Sequence, residues 1–177
     1  MKTFDKAFED LIKDMYSAEK QVLKALPKAA RAAQNPDLKA GFEEHRAQTE
    51  QHVARLEQVA TTCGFKPTGK VCKAAQGLIE EMSEIIEEKE KSPVIDAMLI
   101  CGGQKFEHYE IANYGTAITW AEMLGKKHCV ELLRTTLEEE KETDEKLTVL
   151  AESVVNQEAV EQESGAKVSP RSKASLR

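Results

Sequence analysis

Aromatic side chains make up only 5% of the 177 residues, with a single Trp, and the chain holds just 9 Gly and 5 Pro. So few aromatics, and so few turn residues, exclude an all-β sandwich, whose strands are aromatic and β-branched and are broken by frequent turns. No apolar run approaches the ~18–20 residues that span a bilayer, so no membrane-embedded segment is expected. Cationic excess is missing too. The formal net charge is -6, which gives the domain no field for attracting nucleic acid or an anionic membrane surface. Nor is a signal peptide expected, because the opening MKTFDKAFEDL carries acids where a leader would be apolar. The four cysteines, Cys63, Cys72, Cys101 and Cys129, fit no zinc-ligand spacing and read as reduced thiols. The expectation is a cytoplasmic protein.

What the chain does have is charge and helix-forming residues, with 32% Asp, Glu, Lys and Arg. In the first segment, Phe4, Phe8, Leu11, Met15, Val22, Leu26 and Ala29 recur mostly at steps of three and four, which predicts a helix over about Thr3–Gln34. Pro27 lies inside it and predicts a kink. Asn35-Pro36-Asp37 is a cap, a first-turn proline and a first-turn acid, so a second helix begins almost at once and ends before Gly64. A shorter helix is expected over roughly Lys70–Glu88. Ser92-Pro93 repeats the start signal for a helix running to Gly125, and a last one follows to near Asn156. Two tight connections make two antiparallel hairpins. The shorter helix, about 30 Å long at 1.5 Å per residue, returns the chain between them. The fold class is therefore all-α: a ferritin-like four-helix bundle with a fifth, crossover helix, occupying residues 1–157. Residues 158–177, ending in SGAKVSPRSKASLR, read as a disordered basic tail whose partner, if it has one, is unknown.

Carboxylates interrupt the apolar stripes of these helices. Leu133, Leu137, Glu140, Asp144, Leu147, Ala151 and Val154 form one stripe with two acids in its middle. Glu19 sits between Met15 and Val22 on the first helix, and Glu107 and Glu110 share a side with Gly103, Tyr114 and Ala117 on the fourth. The second helix reads Phe42, His45, Thr49, His52, Leu56, Val59 and Cys63 at the same rhythm. Counting outward from the hairpin turns sets Glu19 opposite His52, Glu107 opposite Asp144, and Glu110 within a residue of Glu140. Glu19 and Glu110, Leu56 and Leu147, and Ala60 and Ala151 share one offset of 91 residues, which suggests pseudo-symmetry between the halves. An unpaired buried carboxylate costs several kcal/mol, so five on one level would consume a typical stability of ~5–15 kcal/mol. No Lys or Arg occupies the inward stripes there, although Lys105 and Lys141 flank them. Two divalent cations would neutralise the cluster; acids sharing protons, or bonded to Tyr16, Tyr109, His45 or His108, are the other solution. His52 lies at the level of the acids, and His45 lies two turns away and reads as a supporting or core histidine. Cys63 and Cys72 flank one loop, where a disulfide is the alternative to two buried thiols.

Four segments, DMYSAEKQ (14–21), HRAQTEQHVARL (45–56), QKFEHYEIANYGT (104–116) and LEEEKETDEKLT (137–148), resemble the YciE/YciF family of bacterial stress-associated proteins, a ferritin-like branch. The resemblance spans about residues 3–156. It implies a dimetal-carboxylate centre, with iron first and manganese second as the metal, and association as a homodimer. In the wider superfamily the second and fourth bundle helices each carry Glu-x-x-His. Here those positions read Thr49-x-x-His52 and Glu140-x-x-Thr143, with Asp144 available in place of the missing histidine. The ligand set carried over is Glu19, His52, Glu107, Glu110, Glu140 and Asp144, with Glu110 and Glu140 as bridges and His52 as nitrogen donor. The expected chemistry is reaction of Fe(II) with peroxide or dioxygen. Its rival is a non-enzymatic stress protein whose bundle binds a partner and carries structural metal or none.

Overall fold

The computed structural model describes residues 3–88 and 91–164. Its helices are α1 (Phe4–Ala32), α2 (Pro36–Thr62), α3 (Lys73–Glu87), α4 (Pro93–Met123), α5 (Lys127–Leu150) and α6 (Asn156–Ser164), with a π-helical turn at Ala151–Val155 joining the last two. There is no strand among the described residues. α1 runs unbroken through Pro27. The Asn35 side chain accepts from the N–H groups of Asp37 and Leu38 at 2.9 and 3.1 Å, which starts α2 after a connection of three residues from the end of α1. Gly64 and Gly125 take φ of +76° and +69°, the left-handed conformation that ends α2 and α4 at little cost to glycine. Ser92 stands at the N-cap of α4 as expected, but its hydroxyl makes no capping bond.

α1 packs on α2 and α4 on α5, while α2–α5 and α1–α4 contacts close the bundle and α3 lies over α1 and α4. Direction follows from the cross-helix pairs. Gln34 meets Asp96 at one end of α1 and α4 and Glu19 meets Tyr114 midway, so these two helices run antiparallel. Glu44 with Lys146 and Arg55 with Thr136 show the same for α2 and α5. α2 and α4 are therefore parallel, and the α3 connection is the single crossover that a ferritin-like bundle requires.

The apolar core comes in two blocks. One contains Leu26, Ala29, Leu38, Phe42, Leu99 and Val155; the other contains Phe8, Ile12, Leu56, Val59, Ala117 and Leu133. Gly103 brings α4 close to its neighbours, since a Cβ there would stand 3.3 Å from Leu147 Cδ1 and 3.6 Å from Phe42 Cε1.

The bundle continues past the expected boundary at residue 157. The π turn rotates the chain after Leu150 so that Val155 and Ala159, four residues apart, both face inward, and α6 packs on α4. Of the expected tail, residues 158–164 are thus helical, and residues 165–177 lie outside the described residues.

One buried acid has a purely architectural role. Asp96, only 2% exposed, accepts the N–H groups of Gln34 and Asn35 at 2.9 and 2.7 Å, tying α4 to the α1–α2 turn. Asp96→Ala strands both donors and is expected to cost about 3 kcal/mol in urea unfolding, without changing metal binding. A loss below ~1 kcal/mol would show that water replaces the carboxylate.

Candidate metal centre

Between the two apolar blocks the four long helices turn polar side chains toward one another. Glu19 comes from α1, His45 and His52 from α2, Glu107 and Glu110 from α4, and Glu140 from α5. None of the six is more than 3% exposed. They form two groups that share one member. His45, Glu107, Glu110 and Glu140 offer ligand atoms that all lie within 4.8 Å of one another, and so do Glu19, His52 and Glu140.

The histidines lie seven residues apart on α2. Seven residues make two helical turns to within about 20°, so both rings face the interior, one below the other. Their centroids are 6.2 Å apart. His52 Nδ1 lies 3.0 Å from Glu140 Oε1 and 3.6 Å from Glu19 Oε1, and its Nε2 is 2.9 Å from Glu139 Oε2. With Nε2–H donated to Glu139, the Nδ1 lone pair is directed at the Glu19/Glu140 side, an outer carboxylate fixing the tautomer of a ligating imidazole. Arg55 holds Glu139 in turn with both Nη atoms and also donates to Thr136 Oγ1 at 3.1 Å. His45 Nε2 faces Glu107 Oε1 at 3.2 Å, and its Nδ1 is 3.4 Å from the Thr143 hydroxyl. Tyr114 donates its hydroxyl to Glu19 Oε1 at 2.5 Å.

Among the described residues, Glu19 Oε2, His45 Nε2, His52 Nδ1, Glu107 Oε2 and both carboxylate oxygens of Glu110 and Glu140 are buried without a hydrogen-bond partner. Eight such atoms would be a heavy burden for an ordinary core, where nearly every buried polar group is satisfied. They belong to all six residues and converge, as a coordination shell does. The residues fit a metal.

The electrostatics shows how the cluster balances charge with protons alone. Burial, reinforced by neighbouring carboxylates, pushes Glu107 and Glu110 well above the usual carboxylate range. Burial and Glu140 also raise Glu19, against opposition from His52 and Tyr114. Burial acts to lower His52, but Glu140 and Glu19 overcome it and hold the imidazolium up to about 10. Glu140 is the counterpart: burial acts upward, but His52 holds it below its ordinary value. Burial pushes His45 downward, toward the neutral ligating form. A cleft of about 240 Å³ between Leu38, Phe42, Gln48, Thr143, Leu147 and Lys146 reaches His45 and Glu107 from outside.

Five of the six expected ligands come together, and Asp144 does not. It is half-buried one turn beyond Glu140, where it accepts from Gln104 Nε2 at 3.2 Å and faces His108 Nε2 at 3.4 Å. A four-residue step advances about 6 Å and rotates about 40°, enough to carry Asp144 out of the layer. Glu107 accordingly shares its group with Glu140. His45, set aside as two turns off-centre, takes the nitrogen position beside Glu107 because the centre has two tiers. Thr143 stands against the His45 ring at Nδ1, whereas Thr49 donates within α2 to the His45 backbone carbonyl at 2.8 Å. Tyr114, Glu139 and Arg55 were not singled out as site residues; only Tyr114, four residues after Glu110 on one stripe, carried a signal. Arg55, beside the inward stripe of α2 and half-buried, brings a cation next to this level through Glu139, whereas Lys105 and Lys141 turn outward to Glu81 and Glu138. Tyr16 and Tyr109 bond to Glu57 and Asp14, and belong to neither group.

Fold and site together define a ferritin-like helical bundle with a buried carboxylate–histidine cluster able to hold metal ions. Residues 3–160 match the family described as "Domain of unknown function (DUF892)". Protein YciF of Escherichia coli (strain K12) is 49% identical over 160 residues, which cover 90% of this chain and 96% of that protein. The crystal structure of the E. coli stress protein YciF superposes with a TM-score of 0.85, covering 89% of this chain and 99% of that one. YcfI from Rhodopseudomonas palustris, 42% identical, gives 0.79 over 83% of this chain and 94% of its own. A protein of Xanthomonas campestris pv. campestris, 20% identical, shares the fold at 0.73 over 91% of this chain and 99% of its own. The chain belongs to the YciE/YciF family.

Proposed function

We propose that the buried cluster is a dimetal-carboxylate centre, with iron as its metal, that reacts with peroxide or dioxygen as part of a stress response. One position would be held by His45, Glu107, Glu110 and Glu140, the other by Glu19, His52 and Glu140. The observation that carries this reading is the set of eight buried, unpartnered donor atoms drawn from these six residues. Two imidazole nitrogens among carboxylate oxygens suit iron(II) or manganese(II) better than a soft metal. When bound, a ferrous pair supplies the two electrons that reductive cleavage of an O–O bond needs. The protein's part is positional. Tyr114 fixes Glu19, the Arg55–Glu139 pair fixes His52, and Thr143 fixes His45. The apolar blocks on either side keep bulk water out, and the cleft ending at His45 and Glu107 is the route by which a small oxidant arrives.

A second reading has one observation in its favour. Protonated Glu107 and Glu110 together with an imidazolium at His52 neutralise the cluster without metal. The bundle would then be a structural or partner-binding stress protein. Anaerobic titration of the chelator-stripped chain with Fe(II) or Co(II) separates the two. Saturation is expected near two ions per chain, in line with the centres built in such bundles. A folded protein that takes up none would leave the second reading standing.

A further inference from the structure

Cys63 closes α2 as its C-cap, and Cys129 lies in the first turn of α5. Their sulfurs are 3.6 Å apart, although the two residues are 66 positions apart in sequence. The loop partner Cys72 lies elsewhere, with its sulfur 2.8 Å from the Tyr109 hydroxyl, so the alternative of a Cys63–Cys72 disulfide is not met and Cys63 has a different sulfur neighbour. All four thiols are free. A bond would need the two sulfurs to approach by about 1.6 Å, to a length near 2.0 Å. Side-chain torsion covers that distance at a helix end followed by a left-handed glycine, Gly64. The pair is also reachable. Cys63 forms part of the wall of a cavity of about 230 Å³ at this end of the bundle, together with Phe8, Phe65, Asp5 and Lys126. Cys129 lies behind it, fully buried.

We propose that Cys63 and Cys129 form a redox-active dithiol that hydrogen peroxide converts to an intramolecular disulfide. The Cys63 thiolate attacks one peroxide oxygen. The O–O bond breaks, hydroxide departs to become water, and Cys63 is left as the sulfenic acid. The Cys129 sulfur then attacks the Cys63 sulfur, the S–O bond breaks, and the hydroxyl leaves as a second water with the Cys129 proton. Two thiols have lost two electrons and one peroxide has gained them. Cys63 is the attacking group because it borders the cavity and is the less buried of the two sulfurs. Cys129 is the resolving group because it is buried within sulfur contact. The bridge would staple the end of α2 to the start of α5, at the far end of the seam that carries His52 and Glu139. It is independent of metal at mid-bundle.

The test treats the full chain, in chelating buffer, with equimolar hydrogen peroxide. The remaining thiols are then alkylated under denaturing conditions, and the intact mass and the digest are read without reductant. The expected result is a monomer that carries two alkyl groups where the reduced chain carries four, with Cys63 and Cys129 in one linked peptide and exposed Cys101 still alkylated. The melting temperature should rise by roughly 10 °C, because the bridge restrains a long loop of the unfolded chain, and fall back with dithiothreitol. Cys63→Ser should abolish both changes, and Cys129→Ser should leave Cys63 trappable by dimedone. If Cys129→Ser fails to fold, the parent chain and Cys63→Ser still decide. Full alkylation of Cys63 and Cys129 after peroxide, or a doubled mass from a bond between copies, would overturn the proposal.

Discussion

Glu140→Gln is expected to empty both metal positions at once, with affinity reduced at least about 100-fold at each, beyond the 10–100-fold typical of losing a residue that merely supports a ligand. Glu140 alone belongs to both groups of donor atoms, and both its oxygens are buried and unpartnered. An amide of the same shape supplies one neutral oxygen where two charged ones stood. The other acids give a contrasting signature. Glu19→Gln should leave one ion per chain, held by His45, Glu107, Glu110 and Glu140. Glu107→Gln should spare the other position, that of Glu19, His52 and Glu140. Anaerobic Co(II) titration followed by visible absorption, with metal analysis of the product, reads all three. Two ions bound by the Glu140→Gln protein would refute the shared-carboxylate geometry.

These variants also separate metal loss from unfolding. The Glu140 charge beside His52 Nδ1 helps keep the imidazole protonated, so its amide leaves the imidazolium with Glu139 and Glu19. Glu110, in contrast, is raised by burial and by the neighbouring carboxylates of Glu19, Glu140 and Glu107. Glu110→Gln removes a buried ionisable group and is expected to stabilise the metal-free chain near pH 8, whereas Glu140→Gln is expected to weaken it.

The bundle was legible because its signals are local. Asn35-Pro36, Ser92-Pro93, Gly64 and the three-and-four spacing of apolar residues each depend on neighbours within a turn or two, and they fixed four long helices and the crossover. The acids were legible for the same reason, since a carboxylate in an apolar stripe is visible within one helix. Facing partners were less so. Hairpin counting set Glu19 opposite His52 correctly, but it assumes an ideal rotation about both axes. A turn's error along α5 was enough to draw in Asp144, and assuming a single level of ligands made His45 look remote. Glu139 and Arg55 could not be found that way. Their inward reach depends on the α2–α5 seam, two helices that share no hairpin. The π turn at Ala151–Val155 was equally hidden, because it breaks the rhythm on which the end of the bundle was drawn.

The metal-free chain is expected to lose stability steadily as pH rises from about 6.5 to 9, and metal should reverse the trend. Glu107, Glu110 and Glu19 are raised above their ordinary 4.5 by burial and mutual repulsion. In that window the folded state keeps protons that the unfolded chain has released. Their contribution is therefore complete below about 4.5 and is lost as pH climbs through the folded values. His52, raised from 6.5 to about 10 chiefly by Glu140 and Glu19 against the effect of burial, loses its share between those limits. Glu139 and Glu140, held low by Arg55 and His52 against burial, act in the other direction and lose theirs only as pH falls below 4.5. His45, lowered by burial, disfavours the fold only below 6.5, where the unfolded chain takes up its proton. Above pH 4.5 the three raised carboxylates outweigh His45, so the metal-free optimum lies at about pH 4.5–5. Each retained proton costs on the order of 1.4 kcal/mol per pH unit above it. Cations displace those protons, so binding should release protons and tighten as pH rises. Urea unfolding at pH 5.5, 7 and 8.5, with chelator and with two equivalents of Co(II), measures both slopes. An indicator dye counts the protons released. A metal-free chain whose stability is flat or rising from pH 6.5 to 8.5 would mean that the buried acids are already ionised in the fold. The eight unpartnered atoms would then have to be satisfied by water, and the case for a metal centre at mid-bundle would lose its physical basis.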